Sequence, residues 1–216
     1  MRCIAICERQ QGGILMNTTN KMSTKNLVLG AILTALVILL QFMGSFIKLG
    51  PFSISLVLIP IVIGAATCGT GVGAWLGFVF GIVVLISGDA AAFLAVNVPG
   101  TVITVLVKGT ACGFLASLAY KAALKLCNKF APKNGRYFAV IASAIVCPVV
   151  NTGIFLIGCL LFFMGTITEW AIEMGLGDNI GQYMILFLVG TNFLVELATN
   201  IILSPVVSRL LDIKLK

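Results

Sequence analysis

Histidine is absent from all 216 residues. That removes the usual general base, the Ser–His–acid triads and the commonest zinc ligand. Charge is scarce as well, at 10% of residues against 60% hydrophobic. A water-soluble domain of this length could not bury so much apolar surface. With a mean hydropathy of +1.14, the expected solvent is lipid. No G-x-x-x-x-G-K-[ST] occurs, so the phosphate-cradling loop of many ATPases is missing, and "GTGVGAWLG" at 69–77 departs from G-x-G-x-x-G. The seven cysteines are scattered without a C-x-x-C pair and read as small packing residues. These absences leave little for an enzyme to work with. No catalytic residue, metal site or cofactor is expected.

Six apolar runs are present, at 27–47, 52–68, 72–87, 98–126, 137–166 and 180–211. At 1.5 Å per residue each approaches the roughly 30 Å of a hydrocarbon core, the third being the shortest. The expected fold is an all-α integral membrane protein of six transmembrane helices, occupying 27–212 after a cytoplasmic segment at 16–26. Residues 1–15 have no signal-peptide pattern. "QGGILM" at 11–16 is what a translated ribosome-binding site looks like. Met16 is therefore the expected start, with Met1 and Met22 as alternatives and 1–15 as a mis-called or disordered extension.

The net charge of +7 does not point to nucleic acid, because the basic residues sit in short loops. Lys21, Lys25, the basic residues of 121–136 and those of 209–216 fall on one side if the N-terminus is cytoplasmic. The other side receives Lys48 with Asp89, Glu169, Glu173 and Asp178. This asymmetry places both termini in the cytoplasm. Gly69, Gly73, Gly77 and Gly81 recur every fourth residue and read first as a helix-packing stripe. Pro60, Pro148 and Pro205 are expected to interrupt the second, fifth and sixth helices, each freeing a carbonyl that needs another partner.

Against this background two charges stand out. Lys108 lies nine residues from Pro99 and thirteen from Lys121, too deep for easy snorkelling. An ammonium there costs at least about 2.5–3.5 kcal/mol unless it faces a polar interior. Glu196 sits at a similar depth in the last run. Asn192, Glu196 and Asn200 share one helix face at i, i+4 and i+8, and Asn151 brings an amide to the same level. Two readings stay open. Lys108 and Glu196 form a structural pair, or they line a pocket in which Lys108 meets an acceptor while Asn151 and Asn192 add amide hydrogen bonds.

The ordered pattern of "NLVLGAILTALVILLQF", with Ala31 and Ala35 as A-x-x-x-A, then "FSISLVLIPIVIGA", within six spans, resembles the substrate-binding (S) subunits of energy-coupling-factor (ECF) vitamin transporters. The resemblance covers about 25–216, with the pantothenate-type branch most similar. It implies a bacterial plasma-membrane subunit that binds a vitamin from outside and has no ATPase of its own. Its implied partners are a transmembrane coupling subunit, docked on Ala31 and Ala35, and two ATPase subunits. The implied substrate site comprises Lys108, Asn151, Asn192 and Glu196, with Phe52 and Trp170 as lid candidates. The alternatives are a stand-alone proton-coupled carrier using Glu196, a structural membrane protein, and a riboflavin or other vitamin specificity within the same family.

Overall fold

The computed structural model describes residues 24–45, 48–49, 52–53, 56–130, 135–176 and 179–214. The expected start at Met16 and the segment before Thr24 lie outside the described residues, as do Lys133, Asp178 and Lys216. Among the described residues the elements are helical apart from one minimal hairpin. Helix α1 spans Thr24–Ser45, and the hairpin pairs β1 (Lys48–Leu49) antiparallel with β2 (Phe52–Ser53). Then follow α2 (Leu58–Thr67), α3 (Thr70–Ser87), α4 (Ala91–Val96), α5 (Val98–Phe130) and α6 (Gly135–Phe162). The chain ends with α7 (Met164–Glu173), α8 (Ile180–Tyr183), a π-helical turn at Met184–Gly190, and α9 (Thr191–Lys214).

Among the described residues four helices are long and apolar enough to cross a membrane: α1, α3, α5 and α6. A fifth span is complete if Ile180–Gly190 and Asn192–Arg209, bent by 41° from each other, count as one. The second apolar run departs from expectation. Its helix, α2, has only 10 residues, about 15 Å, because the hairpin takes up the start of the run. The fifth run also breaks at Phe163, which is buried and separates α6 from α7.

The glycine stripe packs inside the chain. A Cβ on Gly77 would overlap the carbonyl of Gly109, and one on Gly113 would overlap the carbonyl of Gly73. A Cβ on Gly81 would come within 2.9 Å of the Val105 carbonyl oxygen, a looser approach. The backbones of α3 and α5 therefore meet directly along a seam in which no side chain fits. Gly69 is not part of it. At φ +90° it forms the turn before α3. Gly88, at φ +85°, ends α3 in a left-handed cap that an L side chain would strain, and delivers the chain to Asp89.

The prolines behave differently from one another. Pro60 stands in the first turn of α2, where a missing N–H is tolerated; it interrupts nothing. Pro148 and Pro205 are inside their helices. Pro205 cannot donate to the carbonyl of Ile201 one turn earlier, and the Ser204 hydroxyl donates to that oxygen instead at 2.7 Å.

Candidate functional site

Each deep polar residue lies on the inward stripe of its helix. On α5 the buried positions Thr101, Thr104, Val105, Cys112 and Ala116 recur at helical spacing, and Lys108 falls in the gap between Val105 and Cys112. On α6 the stripe runs through Ala144, Cys147, Pro148 and Asn151. On α9 it runs through Glu196, Asn200, Ser204 and Val207. The π-helical turn widens the helix just before Asn192.

These stripes meet around one cavity. Its empty space is about 760 Å³ with the mouth included; the part in which the centre of a water-sized molecule can move is about 80 Å³. That is room for several waters or a small organic molecule. The cavity sits where two apolar cores adjoin. Phe80, Val84 and Val105 belong to one, Phe93, Phe163 and Leu188 to the other, and all six line it.

The four residues picked out at mid-depth converge. Lys108, Asn151, Asn192 and Glu196 all line the cavity. The Lys108 ammonium stands 5.1 Å from the ring centroid of Phe155 and 5.9 Å from that of Phe80. Its charge interacts with those of Glu196 and Asp89, but among the described residues no hydrogen bond or ion pair holds it. A cation–π contact is worth about 0.5–2 kcal/mol. The rings alone therefore do not offset the ~2.5–3.5 kcal/mol or more of taking the charge into lipid, and the cavity supplies the polar surroundings.

Glu196 is itself well placed. Asn192 Nδ2 donates to its Oε1 at 3.1 Å. Asn200, which is not among the residues lining the cavity, donates to the backbone carbonyl of Glu196 at 2.8 Å. On the cavity-lining residues Asn151, Asn192 and Thr104, the buried oxygens Asn151 Oδ1, Asn192 Oδ1 and Thr104 Oγ1 have no hydrogen-bond partner among the described residues. Buried polar atoms in that state are uncommon, and each calls for an explanation.

Phe52 is in β2, its backbone opposite Leu49; its side chain lies outside the described residues. Trp170 packs edge-on against Phe93 at 5.7 Å, behind a ring that lines the cavity.

The sequence model of the family described as "ECF transporter, substrate-specific component" matches residues 25–208. The chain belongs to this family. No curated protein and no solved structure matches it. As an ECF S component it is a substrate-specific, multi-pass membrane subunit that works with the partners of an ECF module on a small-molecule substrate. Such components are transport subunits, not enzymes. Among the described residues no group of three or more Cys, Asp or Glu side chains is placed to hold a metal.

Two polar members of this S component's cavity escape a reading by depth. Gln41, 2% exposed on α1, donates through Nε2 to Asp89 Oδ2 at 2.5 Å, and Ser87 Oγ donates to the same oxygen at 3.1 Å. Gln41 and Asp89 both line the cavity. Asp89 reads in the sequence as one of several outer-loop acids. The available signal was Gln41: it extends the inward stripe Gly30, Leu33, Val37 as the one strongly polar side chain on it.

Proposed function

We propose that this S component captures a vitamin or similar small organic molecule in the cavity around Lys108 and passes it to a coupling subunit driven by two ATPases. The observation that carries the reading is the Lys108 ammonium, which lines the cavity and makes no hydrogen bond or ion pair among the described residues. Lys108 would meet an acceptor on the solute, Asn151 and Asn192 would bond its polar edge, and Glu196 would balance the lysine when the site is empty. Phe52 would close over the mouth from the hairpin. Taken alone, Lys108 suits an organic anion such as pantothenate; riboflavin is the neutral alternative.

The topology we propose has six crossings, with α2 and the hairpin together forming the second. Both termini are in the cytoplasm of a bacterial cell. The charge asymmetry of the loops supports it. Ala31 and Ala35 are exposed on α1, away from the buried Gly30, Leu33, Val37 and Gln41. Small side chains there allow a partner helix to come close, so we assign them to docking the coupling subunit.

Two variants separate the roles. Lys108→Ala should abolish solute binding and leave assembly with the ECF module intact. Ala31→Leu with Ala35→Leu should retain binding and lose transport. Identical behaviour of the two would refute the division of labour. Glu196 in the cavity favours one second reading, a stand-alone proton-coupled carrier. Uptake that persists without an ATPase partner and collapses with the proton gradient would select it.

A further inference from the structure

The full set of charges around the cavity changes the choice of solute. Two carboxylates, Asp89 and Glu196, and one ammonium, Lys108, line it. Lys108 offsets one carboxylate and leaves the other. From this we infer that the solute is no net anion: it brings a protonated or quaternary nitrogen to the Asp89–Phe93 end of the cavity and an acceptor to Lys108. The inference rests on the cavity being the solute site, and it refines that reading.

Asp89 is built into place. Its Oδ2 accepts from Gln41, which reaches it from another helix, and from Ser87. Both donors are neutral, so they orient the carboxylate without cancelling its charge. Among the described residues no cation forms an ion pair with Asp89. A fixed carboxylate bordering a partly dehydrated cavity is complementary to a cation and opposes an anion.

The surrounding surface has the same preference. Phe93, one helical turn beyond Asp89, lines the cavity and meets Phe155 at 5.6 Å and Phe163 at 5.1 Å, both edge to face. Ring faces attract cations and ammonium groups. The buried oxygens without partners, on Asn151, Asn192 and Thr104, are acceptors or, for the threonine, a hydroxyl that can accept. The two asparagine oxygens can each accept an N–H from the guest, while Lys108 and the amide N–H end of Asn151 call for an acceptor. An organic cation, or a zwitterion whose negative end meets Lys108, satisfies this set; a simple carboxylate does not.

The test uses the purified full-length protein, from which bound small molecules are released and identified, followed by binding measurements with thiamine as a cationic, pantothenate as an anionic and riboflavin as a neutral probe. The released solute should carry a protonated or quaternary nitrogen at neutral pH, and thiamine should bind at least about tenfold more tightly than pantothenate. Asp89→Asn should erase most of that tenfold preference, the scale of one hydrogen bond to a charged group, and Asp89→Glu should restore part of it. A released net anion, pantothenate binding more tightly than thiamine, or a preference unchanged in Asp89→Asn overturns the inference and leaves the solute site standing. If Asp89→Asn does not fold, the charge of the solute released from the unaltered protein decides. No released solute and no binding of any probe overturns the site itself, and the inference with it.

Discussion

Lys108 and Gly109 are neighbours on α5 and face opposite kinds of packing. Gly109 meets the backbone of α3 with no room for a methyl group. Lys108 faces a cavity that the surrounding side chains leave unfilled. In lipid, apolar surface gains little by leaving the solvent, so helices hold together through close contact and polar bonds. The seam uses the first means. Around the cavity the second means is used in part: Gln41 bonds Asp89 and Asn192 bonds Glu196, while Lys108 forms no such bond among the described residues. The close-packed α3–α5 seam thus adjoins a polar void on the same helix.

The sharpest way to break the comparison is to put a side chain into the seam. Gly113→Val drives methyl groups into the Gly73 carbonyl. It should cost about 3 kcal/mol or more and appear as loss of folded protein, or a large drop in melting temperature, in detergent. A tolerated valine would show that α3 and α5 are not in backbone contact. Next comes Lys108→Met, which keeps the stem and removes the charge. Binding of the solute should fall about 100-fold or more, roughly 2.7 kcal/mol, with the melting temperature of the empty protein changing far less than in Gly113→Val. Gln41→Leu should weaken binding about tenfold, through loss of a hydrogen bond to a charged group, because Asp89 loses its anchor on α1. Ser204→Ala, remote from both regions, should lower stability by about 1 kcal/mol, since the Ile201 carbonyl loses its donor beside Pro205, and should leave binding unchanged.

Much of the candidate site was legible because rare residues in lipid are informative. Lys108, Glu196, Asn151 and Asn192 are costly at mid-depth, so they had to face inward, and common depth on adjacent helices brings them together. The long spans were legible for the same reason that composition was. Less was legible where every residue is apolar. Leu27, Val28 and Ile32 on the outer face of α1 look like Leu33 and Val37 on its inner face, because lipid and protein interior reward the same side chains. Periodicity therefore fades. The short α2, the break at Phe163 and the π-helical turn before Asn192 carry no residue that announces them. The Gln41–Asp89 bond joins residues 48 apart, across a turn whose acid had a sufficient explanation as an outer-loop charge.

The most direct measurement is mass spectrometry of the small molecules released from the purified protein and from its Lys108→Met variant, prepared side by side. The account predicts a near-stoichiometric solute with the unaltered chain and none with the variant. The same solute released in equal amount from both, or none from either, would contradict it.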